Sequence, residues 1–116
     1  MILYGIPTCD TCKKAFKALE AAGHAVTFRD IRKEPLTEAE IARFVGEFGD
    51  RLINKSSTTY RGFSDFLRES EAEAQIVAQP TVMKRPLIEA EGKLFLGWDA
   101  ATQAALCGVE RPEGRT

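Results

Sequence analysis

The first third of the chain alternates short apolar runs with one amphipathic stretch. Residues 2–4 are apolar and β-favouring, and a glycine and a proline follow closely. Residues 10–22 carry apolar side chains at helical spacing, and Gly23 follows as a stop signal. Residues 25–31 alternate apolar with polar side chains before Pro35. The pattern predicts a β-α-β unit.

The next segment carries a strong helix-start signal. Thr37 and Glu40 have the spacing of a capping box, in which the side chain of each residue accepts a hydrogen bond from the backbone N–H of the other. The spacing predicts a helix over residues 38–48, which Gly49 ends.

A polar stretch without a clear period follows. In residues 50–61, the apolar pair Leu52 and Ile53 is expected to be anchored in the core, and no regular element is predicted there. Helical spacing returns over residues 64–78, with a break expected near Ser70.

The last third predicts a hairpin and a helix. Residues 86–90 and 93–96 are apolar, strand-like runs joined by a glycine turn, and Asp99 is a good N-cap for a helix ending near residue 106. The order is then β-α-β, a helical insertion, and β-β-α. We therefore predict an α/β protein with a mixed four-stranded sheet, a parallel pair extended by an antiparallel hairpin, in the thioredoxin-like layout.

Composition fits one domain of ordinary globular type. The 116 residues are 44% hydrophobic and 28% charged, and 16 basic residues balance 17 acidic ones. This balance gives no broad attraction to nucleic acid or anionic lipid, and no apolar run approaches the ~20 residues of a membrane span. We expect a single domain over residues 1–116 with a flexible tail from 108, a monomer, in the cytoplasm.

Two of the three cysteines, Cys9 and Cys12, form a C-x-x-C pair where the first strand gives way to the first helix. An odd cysteine count without a secretory signal argues against a disulfide framework. A helix amino terminus favours a thiolate, and Lys13 and Lys14 add positive charge nearby. Cys12 shares the buried helix face, so we expect Cys9 to attack and Cys12 to resolve the intermediate.

Two other interpretations of the pair remain open at this point. A zinc site needs two further ligands, and the chain offers only His24 and Cys107, without paired spacing. Cysteine is also a small core residue, although this does not explain Cys9 directly after a strand. No metal is expected.

Three segments together resemble the ArsC arsenate reductase family, and more closely its branch with YffB and Spx. They are "YGIPTCDTCKKAFKALE", "RPL" at residues 85–87 and "LFLGWD" at residues 94–99. The resemblance implies a thioredoxin-like fold with Cys9 as the catalytic cysteine. It also implies that Arg85, before a cis Pro86, lies beside that cysteine and stabilises the thiolate or binds an anionic group.

The resemblance further implies a thiol-disulfide oxidoreductase, either a glutathione-dependent thiol reductase or an arsenate reductase-like enzyme. Glutathione would be the reducing co-substrate, with glutaredoxin or thioredoxin as possible partners, a small-molecule or protein thiol as substrate, and no bound cofactor. Arsenate reductases use two more arginines, where this chain has Asn54 with Lys55 and Gly97 with Trp98. Their absence argues against efficient arsenate reduction, because lysine lacks the bidentate fork of arginine.

The segment "NKSSTTYR" resembles the YffB loop and supplies the remaining candidate substrate contacts. These are Asn54, Lys55, Thr58 and Arg61, together with Pro86. The alternative function implied by the resemblance is that of Spx, a redox-sensing transcriptional regulator that binds RNA polymerase. The C-x-x-C pair favours this alternative, while the first helix and the "TTYR" segment look more like YffB.

Overall fold

The structure, a computed structural model, describes residues 1–108. These residues fall into two compact units: the first combines Met1–Arg29 with the chain from Arg85 onward, and the second is Asp30–Lys84. The predicted flexible tail lies outside the described residues, apart from Gly108. The prediction of a single domain stays a prediction.

The described elements follow the predicted order. The strands are β1 (Ile2–Gly5), β2 (Thr27–Asp30), β3 (Leu87–Ala90) and β4 (Lys93–Leu96). The helices are α1 (Asp10–Ala21), α2 (Glu38–Phe48), α3 (Thr58–Arg61), α4 (Asp65–Arg68), α5 (Ala72–Ala78) and α6 (Ala100–Cys107). Short 3-10 turns cover Gly49–Leu52 and Pro80–Val82. The predicted α/β class is confirmed, and so is the break near Ser70 in the helical segment predicted over residues 64–78.

The first unit is built on a four-stranded sheet with the order β2-β1-β3-β4. β1 runs antiparallel to β3, with Leu3 opposite Ile88, and β3 runs antiparallel to β4, with Leu87 opposite Leu96. The β3–β4 turn has positive φ at both Glu91 (52°) and Gly92 (80°), as in the tight turns that match strand twist. The predicted hairpin is therefore confirmed.

In the core of the first unit, the sheet packs against α1 and α6. Its fully buried members come from β1, α1 and β3, and α6 adds Leu106; they are Leu3, Cys12, Ala15, Leu19 and Ile88. α1 is amphipathic, so this one face is buried while its lysines stay exposed.

The second unit contains the helical insertion. The predicted capping box of α2 is present: the Glu40 N–H donates to Thr37 Oγ1 at 3.1 Å, and the Thr37 N–H donates to Glu40 Oε1 at 2.8 Å. Leu52 and Ile53 are buried as predicted, and Ile53 forms an isolated antiparallel bridge with Met83.

The structure differs from the sequence-based expectation in an added helical turn and in the bounds of β2, which is Thr27–Asp30 rather than 25–31. The polar stretch contains α3, because the Ser57 side chain accepts the Tyr60 N–H at 3.0 Å and so starts a helical turn. β2 ends at Asp30, whose carboxylate accepts the N–H groups of Arg32 and Lys33 and turns the chain. Both effects are local hydrogen bonds that the apolar pattern does not reveal.

No helix within residues 1–108 is both long enough and apolar enough to cross a bilayer.

The last residue of β1 approaches α1 very closely. A Cβ at Gly5 would lie 2.5 Å from Cys12 Sγ and 3.3 Å from Leu3 Cδ2. The Cys12 side chain is fully buried, so the sulfur has little room to move aside. Glycine at this position therefore permits the contact between strand and helix.

We expect Gly5→Ala to lower the free energy of unfolding by about 1–3 kcal/mol, because the added methyl overpacks the site. Urea denaturation measures the change. Gly46→Ala is the matched control: no atom lies within 4 Å of a Cβ there, and the site is on an exposed face of α2. The control should raise stability by about 0.5–1 kcal/mol. Equal unfolding curves for Gly5→Ala and the unaltered protein would contradict the close contact.

Candidate active site

Cys9 is the N-cap residue of α1, directly after the turn that follows β1. Its backbone is extended (φ −87°, ψ 118°), its N–H donates to the Ile6 carbonyl at 3.1 Å, and its carbonyl accepts the Lys13 N–H at 3.1 Å. The side chain is half-buried and packs against the core of the first unit. The predicted position at the helix amino terminus is confirmed.

Several donors converge on the Cys9 sulfur. Burial raises the pKa of Cys9, but hydrogen bonds from the Cys12 backbone N–H, the Cys12 thiol and the Arg85 guanidinium lower it, as does the Arg85 charge. The net effect holds the pKa of Cys9 below its ordinary value. Cys9 is therefore the more acidic thiol of the pair.

Cys12 has the opposite environment. Burial raises the pKa of Cys12 to about 12, and the adjacent Cys9 adds to the rise, against the lowering effects of the Ile6 backbone and the Arg85 charge. Both thiols are free in this structure. The expectation that Cys12 is the less exposed of the two is confirmed, and the pair combines one half-buried thiol with one fully buried thiol.

Arg85 and Pro86 follow the second unit and precede β3. The peptide bond between them is cis, as the resemblance implies, and the guanidinium of the half-buried Arg85 hydrogen-bonds Cys9. The Pro86 side chain is fully buried, and its carbonyl accepts the Gly97 N–H at 2.8 Å. Pro86 thus has no side-chain surface to offer a ligand, and its role in substrate binding stays a prediction.

The four candidate contacts of the polar stretch lie in the second unit. Asn54 is half-buried, and its side-chain oxygen accepts the Ser56 N–H at 3.2 Å and the Ser56 hydroxyl at 2.8 Å. Lys55 is exposed, and Thr58 and Arg61 are the exposed first and last residues of α3. Asn54 therefore shapes its own turn, and the binding role of all four stays a prediction.

Three further residues considered in the sequence analysis, Trp98, His24 and Cys107, lie in the first unit. Trp98 is half-buried against the core of the first unit. His24 Nε2 lies 2.6 Å from the Leu106 carbonyl, and burial raises the pKa of Cys107. Within residues 1–108, no group of three or more histidine, cysteine or acidic side chains is arranged to hold a metal ion.

Two residues of the site were missed by sequence reasoning. Gly5 admits the Cys12 sulfur, and the Ile6 backbone hydrogen-bonds the Cys12 thiol. The signal for Gly5 was present, since a glycine at the end of a strand before a C-x-x-C often marks a close backbone approach. The contribution of Ile6 comes from its backbone, so its side-chain type gives no signal.

The fold and the site together define a class: a thioredoxin-like α/β protein whose C-x-x-C pair starts the first helix beside an arginine that precedes a cis proline. The sequence model of the ArsC family matches residues 4–106, which is most of the chain. This chain belongs to the ArsC family.

Solved structures and a curated relative agree with this assignment. A structure named as a YFFB protein has a TM-score of 0.82 at 31% identity, covering 91% of this chain and 97% of its own. An arsenate reductase (ArsC) related protein from Brucella melitensis has a TM-score of 0.70 at 38% identity, covering 90% and 91%. The global transcriptional regulator Spx of Listeria innocua is 30% identical over 103 residues, covering 84% of this chain and 79% of Spx. The similar proteins thus include one named as related to arsenate reductase and one named as a transcriptional regulator.

The unequal pKa values predict unequal alkylation. Iodoacetamide should modify Cys9 at pH values below the ordinary cysteine pKa of about 8.5, whereas Cys12 should stay unmodified until the solution is strongly alkaline. Arg85→Ala should move the Cys9 profile to higher pH, because it removes a donor and a charge that favour the thiolate. Peptide mass spectrometry measures each site, with Cys107 as the internal control. Identical pH profiles for Cys9 and Cys107 would rule out activation of Cys9.

Proposed function

We propose that this protein is a thiol-disulfide oxidoreductase in which Cys9 is the nucleophile. The observation that carries the proposal is the set of donors around the Cys9 sulfur: the Cys12 backbone and thiol and the Arg85 guanidinium. A lowered pKa at a partly exposed helix N-cap is the environment of reactive cysteines, whereas structural cysteines are buried and inert.

The substrate we propose is a protein or small-molecule thiol joined to glutathione. The Cys9 thiolate attacks the glutathione sulfur of the mixed disulfide, forming a Cys9–glutathione disulfide and releasing the substrate thiolate, which takes up a proton. A second glutathione thiolate, or Cys12, then attacks this disulfide. The first route gives glutathione disulfide and free Cys9, and the second gives free glutathione and a Cys9–Cys12 disulfide that two glutathione molecules reduce.

Glutathione fits the charge of the site. The Arg85 guanidinium presents a planar set of donors beside Cys9, which suits a carboxylate. In the reducing cytoplasm glutathione is abundant, with glutaredoxin or thioredoxin as further electron donors. Arsenate is a weaker candidate, because two of the three arginines of arsenate reductases are replaced here by Asn54 with Lys55 and by Gly97 with Trp98.

The test is a coupled assay of NADPH consumption with glutathione and glutathione reductase, comparing a glutathionylated peptide with arsenate. The unaltered protein should turn over many equivalents of the peptide and far fewer of arsenate. Cys9→Ser should lower kcat/KM by about a thousandfold, since it removes the nucleophile. Arg85→Ala should lower it by about tenfold to a hundredfold, since it removes a charge-assisted hydrogen bond.

Two further variants complete the comparison. Cys12→Ser should retain turnover, because glutathione resolves the intermediate, and Cys107→Ser should match the unaltered protein. Equal rates for Cys9→Ser and Cys107→Ser would exclude a Cys9 mechanism.

The second candidate function is that of a redox-sensing regulator. The free thiol pair and the similarity to Spx favour it. A regulator should be oxidised stoichiometrically without turnover and should bind RNA polymerase in a redox-dependent way. Many turnovers without binding to RNA polymerase would exclude the regulator and support the oxidoreductase.

A further inference from the structure

A small cleft lies along α1 and includes Pro7, which precedes Cys9 by two residues. Its volume is about 220 Å³, and it is lined by Pro7, Lys13, Phe16, Lys17 and Phe28. The Phe16 and Phe28 rings meet edge to face at 5.8 Å between centroids and pack against the core of the first unit. The two rings therefore form an apolar floor of the cleft, and their packing against the core holds them in place.

The rim of the cleft is positively charged. Lys13 and Lys17 are four residues apart on α1, so their side chains are neighbours on one face, and both are exposed. Within residues 1–108 neither ammonium group forms an ion pair with a carboxylate. Two ammonium groups thus remain available beside an apolar floor.

The cleft is continuous with the start of α1. A helix rises 1.5 Å per residue, so Lys13 lies about 6 Å and Lys17 about 12 Å along the axis from Cys9. An extended peptide advances about 3.3 Å per residue. A chain whose cysteine is at Cys9 would therefore bring side chains about two to four residues away to the cleft.

The size of the cleft restricts what it holds. Pockets for drug-sized ligands and cofactors run from about 300 to 1,000 Å³, and this one is smaller. It suits one apolar side chain rather than a cofactor. The lysines then suit a carboxylate beside that side chain.

We propose that this cleft selects the protein substrate: it receives an apolar side chain with an acidic neighbour, about two to four residues from the glutathionylated cysteine. This inference rests on the proposed reductase function of Cys9. Docking of the segment holds the mixed disulfide against Cys9, and glutathione itself is common to every substrate, so discrimination comes from the peptide.

The experiment uses three glutathionylated peptides that differ only in the flank: leucine with glutamate, leucine with lysine, and serine with glutamate. The unaltered protein should show the lowest KM for leucine with glutamate, by about tenfold over each of the others, with similar kcat. The double variant Lys13→Glu/Lys17→Glu should raise the KM of that peptide about tenfold and lower the KM of the lysine peptide. High salt should reduce the preference for glutamate over lysine. Lys93→Glu, an exposed charge reversal in β4, is the matched control and should change neither KM.

Binding to the Cys9→Ser protein, followed by fluorescence polarisation, separates the two proposals. Turnover of all three peptides with equal KM would overturn the proposal that the cleft selects the substrate, and the proposed reductase function would stand. Tight binding of the leucine and glutamate peptide, lost in Cys9→Ser/Lys13→Glu/Lys17→Glu, without turnover by the unaltered protein would retain the cleft as a docking site and overturn the reductase. Equal binding of all three peptides together with no turnover would overturn both.

Discussion

The contact between Gly5 and Cys12 is the constraint on which the site depends. The Cys12 sulfur occupies the space that a Cβ at position 5 would fill, so α1 packs directly on the end of β1. Cys12 is the third residue of α1, and Cys9 is its N-cap, so the same contact fixes the position of Cys9, the proposed nucleophile. Arg85 arrives through the sheet: Tyr4 pairs with Leu87, and continuing that antiparallel register brings the residue before Pro86 beside the β1–α1 turn.

This arrangement makes two chemically identical thiols unequal. Burial acts on both, but Cys9 is partly exposed and receives several donors, whereas Cys12 is fully buried next to the charge that Cys9 carries. The Arg85 charge lowers the pKa of both cysteines. For Cys9, the hydrogen bonds from Cys12 are larger causes than the Arg85 charge, and together these effects outweigh the smaller burial. The position of the pair at the helix amino terminus thus gives the two thiols different acidities. Two exposed cysteines at the same spacing would lack this difference.

The elements with local signals could be predicted from sequence, and those made by single side-chain hydrogen bonds could not. The capping box at Thr37, the glycine stops and the hairpin turn each have a residue type that the backbone requires, and each is present. α3 has four residues, too few to show a period, and depends on the Ser57 hydroxyl.

The same limit applies to the site. Spacing correctly predicted that Cys12 is less exposed than Cys9, because the position of a residue on the helix determines its burial. Arg85 was reached through the family resemblance, since its place beside Cys9 depends on strand register across the sheet. The turn that engages Asn54 depends on Ser56, and no pattern in the apolar residues marks it.

The second step of the proposed reaction depends on a property that spacing alone does not give, the burial of Cys12. Once Cys9 is joined to glutathione its negative charge is gone, and that part of the rise in the Cys12 pKa disappears. Burial, the largest cause, remains. A thiol whose pKa is raised by burial is less ionised at neutral pH than a free thiol with a pKa near 8.5, of which a few per cent is thiolate. In the proposed mechanism, proximity favours attack by Cys12, but burial lowers its thiolate fraction and so favours attack by free glutathione. The proposed mechanism therefore gives repeated turnover rather than a stored Cys9–Cys12 disulfide.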